Sequence, residues 1–311
     1  MKKVYTYSAA AFVIMGLLLI GILAVVSFDT SFSNNIAMIN LDGAIFLKGS
    51  DSGLLSTGTT GVEDYIKWLD EVENNDNIKA VIIKINSPGG EVVASEKLSR
   101  KIKEVSEKKP VVAYIETIGA SGAYMAASSS NYIVAEKQSL VGSIGVRMEL
   151  LHYYGLMEKL GVNTTSITGG KYKNIGTPNR PMTEEEYKML ESIVDEMYFD
   201  FISMVAENRN MTINETLIAA DGKIYNGLQA KNAGLIDQVG TEKDAIDMAC
   251  KFAKISEPRI YEYKKSSSIG FFGMTLNNIA TSFGYGFGKG ISENMDIKES
   301  FKSYKSYEMY Y

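Results

Sequence analysis

The sequence predicts an α/β fold with a mainly parallel sheet flanked by helices. Short, β-branched, mostly apolar runs recur at Ile78 to Ile85 and at Val111 to Ile115, as expected of strands buried on both faces. Segments with helical spacing separate them, and such alternation favours parallel strands with crossover helices. The composition agrees: 311 residues with 45% hydrophobic and 22% charged side chains can bury a full core. A disordered chain, a collagen-like fibre and a polytopic membrane protein are excluded.

In chain order, Ile36 to Phe46 reads as a strand broken at Gly43, and Gly49 to Gly61 as a loop. Val62 to Glu73 has helical spacing, Ile78 to Ile85 is a strand, and Glu91 to Lys108 is an amphipathic helix. Val111 to Ile115 is a second buried strand, followed by the small-residue, helix-compatible stretch Gly122 to Ser128. Tyr132 to Ala135 and Leu140 to Val146 read as short strands, Leu150 to Leu160 as a helix and Val162 to Ile167 as a strand. Thr183 and Glu186 form a capping box after Pro181, opening a helix that runs to about Asn208. Further helices are expected at Asn214 to Ala220, Leu228 to Asn232 and Lys243 to Phe252.

The N-terminus carries a different signal. Ala9 to Val26 is an unbroken run of 18 apolar residues, with no charge between Lys3 and Asp29. As a helix it would span roughly 27 Å, close to a bilayer core of about 30 Å. Lys2 and Lys3 precede it and no Lys or Arg follows until Lys48, which places the N-terminus in the cytoplasm and the rest outside. A cleavable signal peptide is the rival reading, but Ala24, Val25 and Val26 make a poor cleavage site. A lipoprotein is excluded, since no Cys stands directly after the run.

Lys plus Arg number 32 and Asp plus Glu 37, a net charge of −5, which argues against a nucleic-acid partner. Cys250 is the one cysteine and His152 the one histidine, so an internal disulfide, a Cys-rich zinc site and a multi-His metal site are all excluded. The last 48 residues hold ten of the 32 aromatics among Gly, Ser and Phe. Two readings stand for this tail. It is an amphipathic helix through Phe301, Tyr304, Tyr307 and Tyr311 packing on a neighbouring subunit or the bilayer, or an extended end lying in a substrate groove.

Three local features bear on chemistry. Asn86-Ser87-Pro88-Gly89-Gly90 follows a buried strand and precedes a helix. It is either an ordinary strand-to-helix turn or a turn whose exposed N–H groups hold a developing negative charge. Gly119-Ala120-Ser121-Gly122-Ala123 nearly matches the nucleophile elbow G-x-S-x-G, with Ala123 in the last place. Ser121 reads both as a helix N-cap and as a nucleophile. Gly169 to Pro178 is a Gly-rich loop carrying Lys171 and Lys173 without nearby acids. They are solvated loop lysines, or one is a base whose pKa falls on desolvation. His152 lies 31 residues after Ser121 in an amphipathic stretch and reads as structural or surface, although a Ser–His pair is formally open.

With AVIIKINSPGG, ASGAYMAAS, SLVGSIGV, GGKYKNIGTPNRPMTEEE and ADGKIYNGLQAKNAGLIDQVG in this order, the chain from Ile36 to Tyr263 resembles the short bacterial signal peptide peptidases. These are membrane-anchored serine peptidases of the ClpP/crotonase fold. The resemblance implies a spiral variant of the α/β fold and three parts: an anchor at residues 1–28, a peptidase domain at 29–263 and a C-terminal tail at 264–311. It implies a Ser–Lys dyad of Ser121 and Lys173, an oxyanion hole from the amides of Gly90 and Gly122, and no cofactor or metal. It implies short apolar peptide substrates such as signal peptide remnants, a single-pass place in the cell membrane through residues 9–26, and a homo-oligomer enclosing its active sites. Ser143 in GSIG reads as a turn serine or as a partner that orients Lys173, and the tail from Tyr307 to Tyr311 as a pseudo-substrate strand. A crotonase-like CoA enzyme and a non-catalytic membrane scaffold of the same fold are the rival functions.

Overall fold

The computed structural model describes residues 34–50 and 59–264. The apolar run at residues 9–26, residues 51–58 within the expected loop and the tail from 265 lie outside the described residues. Among the described residues no helix is long and apolar enough to cross a membrane.

The chain runs β1 (Ile36–Asp42), α1 (Val62–Asn74), β2 (Ala80–Ser87), α2 (Val92–Ser106), β3 (Val111–Ala120), α3 (Gly122–Ser128), β4 (Tyr132–Ala135) and β5 (Leu140–Gly142). It continues through α4 (Tyr154–Lys159), α5 (Glu184–Arg209), α6 (Ile213–Ala219), β6 (Ile224–Asn226), α7 (Gly227–Asn232), β7 (Gln238–Val239), α8 (Glu242–Ala253) and β8 (Ile260–Tyr263). The sheet order is β6-β5-β3-β2-β1-β8, with β4 joining β3 and β7. Every pairing is parallel except β5 with β6. This is the predicted α/β architecture.

Alternation along the strands sorts side chains into two layers. Ala37, Ile39 and Leu41 of β1, with Val81, Ile83 and Ile85 of β2, face α1, α2 and α3 in the main core. Ile36, Met38, Ala80 and Ile82 face the opposite way, onto Ala245 and Ala249 of α8. Helices match this geometry. In α1 the buried residues are Val62, Tyr65, Leu69 and Val72, one stripe along a helix.

β3 is the hinge of the topology. Its first half, Val112 to Ile115, pairs with β4, and its last residues, Ile118 to Ala120, pair with β5. The sheet therefore forks along a single strand. Because β2, β3 and β5 are parallel, the turns that follow them emerge at one end of the sheet. Those turns carry Gly90, Ser121 and Ser143.

Several boundaries differ from the sequence reading. β2 begins at Ala80 and continues to Ser87, and β3 runs on to Ala120, because each has a neighbour to pair with past its apolar run. β5 stops at Gly142, where positive φ turns the chain. The expected helix at Leu150 to Leu160 shrinks to α4, and the expected strand at Val162 to Ile167 is absent. Ile167 is 97% exposed there, and among the described residues the stretch has no partner strand. β6, β7 and β8 were not predicted; each is at most four residues long and lacks an apolar run.

A long stretch contributes nothing to the core. No residue from 145 to 185 is buried, and the apolar residues that α5 buries, Phe201, Ile202, Val205 and Ala206, all lie near its C-terminal end. Large apolar side chains stand exposed along this arm, including Leu151, Leu156, Leu160 and Ile167.

α3 is held from behind. Tyr124 is fully buried and its hydroxyl donates to the Leu235 carbonyl at 2.8 Å. Tyr124→Phe leaves that carbonyl unpaired and is expected to lower unfolding stability by about 1–3 kcal/mol, measured by chemical denaturation.

Candidate functional site

Ser121 stands alone between β3 and α3, with φ 53° and ψ −126°. A non-glycine residue in this region is strained, and strain of this kind gathers at functional sites. Two hydrogen bonds hold it. The Ser121 N–H donates to the Gly142 carbonyl at 2.8 Å, and the Ser121 carbonyl accepts from Met125 N–H at 2.9 Å. The second bond starts α3; the first ties the turn to the end of β5. The side chain is thereby presented at the sheet end, as in a nucleophile elbow.

The Pro88–Gly90 turn packs directly on this elbow. Gly89 has φ +91°, and a Cβ there would lie 2.7 Å from Gly122 N and 2.8 Å from the Ala120 carbonyl oxygen. The two backbones touch, and only glycine allows it. A Cβ on Gly122 would lie 2.0 Å from Ser95 Oγ, on α2. Ser95 is 1% exposed, so it has little room to yield.

These contacts aim two amides. Ile45 pairs with Gly90 as a parallel bridge: its N–H donates to Gly89 O, and its carbonyl accepts from Glu91 N, both at 2.9 Å. That pattern leaves the Gly90 N–H on the other side. Gly122 opens α3, so its N–H has no partner within the helix. Neither amide donates to another group among the described residues. A cleft of about 640 Å³ opens here, lined by Gly90, Ser121, Ser143, Val92, Val146 and Arg147 among others. Arg147 is the one charged residue of that lining and no carboxylate belongs to it. The carboxylate acid/base pair expected of a crotonase-like CoA enzyme therefore has no counterpart in the cleft.

Of the four residues expected in the site, three come together: Ser121, Gly90 and Gly122. Lys173 does not join them within one chain. It is exposed on the loop before α5 and is not among the residues lining the cleft. In the single chain Lys173 is exposed rather than buried, on an arm of which no residue from 145 to 185 is buried.

The loop itself is ordered by polar contacts. Arg180 donates to both Glu186 oxygens and, at 3.2 Å, to the Asn174 carbonyl, while Thr183 N–H donates to Glu186 at 2.9 Å. The Arg180 guanidinium, helped by Thr183, holds the Glu186 carboxyl down at about 2. Lys171 donates to Glu185 at 2.5 Å, which pushes its pKa up and keeps it charged. Lys173 takes part in no ion pair among the described residues, which distinguishes the two lysines.

Ser143 proves to be a cleft residue as well as a turn serine. It has φ 51° and its N–H donates to Lys223 O at 2.8 Å. His152 lies on the arm against Tyr154 and does not line the cleft. The roles of the Gly142 carbonyl and of Ser95 were not legible in the sequence, since both depend on which turns meet.

The model of peptidase family S49 matches residues 103–256. A Methanocaldococcus jannaschii protein named "Putative protease MJ0651" is 47% identical over 300 residues, covering 94% of this chain and 95% of that one. An Enterococcus faecium protein named "Putative signal peptide peptidase SppA" is 32% identical over 247 residues, covering 79% and 71%. The Arabidopsis thaliana "Serine protease SPPA, chloroplastic" is 36% identical over 229 residues, covering 73% of this chain and 33% of that one.

Two outcomes are expected. Gly122→Ala drives a methyl into Ser95 and lowers stability by about 1–3 kcal/mol together with peptide hydrolysis; adding Ser95→Gly restores both, read by thermal unfolding and turnover. The Glu186 contribution is present above the ordinary carboxylate pKa and is lost as pH falls towards about 2, so exchange protection of the loop around Asn174 falls in that window. Glu186→Gln abolishes that pH dependence.

Proposed function

The chain belongs to peptidase family S49 and is a serine peptidase, and from that premise we propose that Ser121 is its nucleophile and that Lys173 of a neighbouring copy is its base. The carrying observation is that, among the described residues, the elbow has no base in its cleft while an arm with no buried residue bears a lysine in no ion pair. Exposed apolar side chains along the arm favour burial against a second copy. An amine acts as a base once it has lost its proton, and a dry cleft favours the neutral form.

The steps follow. Lys173 takes the proton from Ser121 Oγ as the oxygen attacks the peptide carbonyl. The amides of Gly90 and Gly122 hold the oxyanion, each such donor being worth about 3 kcal/mol. Lys173 then gives its proton to the leaving amine, and a water, deprotonated in turn, releases the acyl group from Ser121. Ser143, facing the same cleft, is placed to orient the amine.

The substrate reading is short apolar peptides, including remnants of signal peptides. Val92 and Val146 give the cleft an apolar wall. We assign membrane anchoring to residues 9–26, with the N-terminus in the cytoplasm and the peptidase outside, on the strength of the apolar run and its flanking lysines. An anchored peptidase meets such peptides at the surface where they are left.

Ser121→Ala and Lys173→Ala are each expected to be inactive on a synthetic signal peptide. Mixing them with subunit exchange should restore up to about one quarter of wild-type turnover, since random pairing re-forms that share of intact sites. A mixture that assembles and stays inactive would remove the shared site; full activity of Lys173→Ala alone would remove the base.

A further inference from the structure

The end of the sheet opposite the active site carries its own feature. The N-terminal ends of β1, β2 and β8 lie side by side there, with Ile36 in register with both Ala80 and Ile260. Each neighbouring strand is preceded by a cation: Lys79 before β2 and Arg259 before β8. Lys254 joins them from the C-cap of α8. A cleft of about 480 Å³ opens among these three, with Asn34 and Asn77 in its lining. Glu257 is the one carboxylate there.

The local balance is three cations to one acid, a charge of +2, on a chain whose net charge is −5. Neither Lys79, Lys254 nor Arg259 forms an ion pair among the described residues. This differs from the nearby basic residues. Lys101 and Lys108 are both bound to Glu73, and Lys109 donates to the Val72 and Asn75 carbonyls. Three cations without an ion pair among the described residues thus line one recess, an arrangement that suits an anion.

The position of the recess selects the anion. Asn34 lines it, and the apolar run ends at Val26, leaving residues 27–33 between them. Seven residues span at most about 25 Å even when fully extended. A cleft tethered so closely to a membrane span lies within reach of the bilayer surface, where lipid phosphates are the abundant anions. We propose that Lys79, Lys254 and Arg259 form a docking site for the phosphate of anionic lipid headgroups, holding this end of the domain on the bilayer. The proposal rests on the anchored reading given above. It adds an orientation, which a tether alone does not impose.

The test uses the full chain in lipid nanodiscs, one set of phosphatidylcholine alone and one with phosphatidylglycerol added. Hydrogen exchange is read at residues 77–80 and 254–260. Exchange there should slow about fivefold or more in the anionic discs, and each cation replaced by alanine should remove part of that protection. High salt should abolish the effect. Peptide hydrolysis in solution should be unchanged in the Lys79→Ala/Lys254→Ala/Arg259→Ala variant, which reports that the fold is intact. Equal exchange in the two kinds of disc would overturn the proposal while leaving the anchor standing. Failure of the chain to enter either disc would overturn the anchored reading and the proposal with it. Protection by inorganic phosphate in detergent, with none gained from anionic lipid, would also overturn it, in favour of a free anion.

Discussion

Two backbones in contact set the rest of this molecule. The Pro88–Gly90 turn lies against the Ala120–Gly122 turn so closely that no β-carbon fits between them. From that contact follow the strained conformation of Ser121, the direction of the two free amides and the small residues around them. α2 and α3 start side by side because Ser95 meets Gly122 without a side chain between. A larger residue at either turn would separate two helix starts as well as spoil a hydrogen-bonding pocket. The strain at Ser121 is carried by neighbours that over-determine it: Gly142 from one strand, Met125 from the helix it begins, and Gly89 from across the cleft.

Much of the fold was legible because its central strands are buried on both faces. Ala80 to Ile83 and Val111 to Ile115 can be little else, and the Thr183–Glu186 box gave the start of α5 to the residue. The edges were harder. β6, β7 and β8 owe their conformation to a neighbour and carry no apolar signature. The reverse error occurred at Val162 to Ile167, where β-branched residues suggested a strand that has no sheet to join. Local pattern reports what a segment prefers; pairing decides what it becomes.

The site divides along the same line. Ser121, Gly90 and Gly122 were readable because turn chemistry is local, and the family resemblance placed them in order. What brings Ser95 and Gly142 to them is tertiary, and short-range pattern does not reveal it. Lys173 was readable as a residue type in a Gly-rich loop, but its environment belongs to the arm between residues 145 and 185. None of the residues from 145 to 185 is buried in the single chain, so neither local pattern nor the described core defines what surrounds that lysine. His152, the lone histidine, stayed on that arm against a tyrosine.

The parallel sheet has a further consequence. Parallel strands give a domain a head and a foot: the elbow crowns β2 and β3, while the chain enters β1 at their base. A strand of eight residues is roughly 26 Å long. In the anchored arrangement, chemistry then takes place a strand's length above the lipid. If its substrates are the greasy peptides proposed above, each would have to leave the hydrocarbon and climb that distance before it is cut, which would make extraction from the bilayer a step in its own right, ahead of hydrolysis.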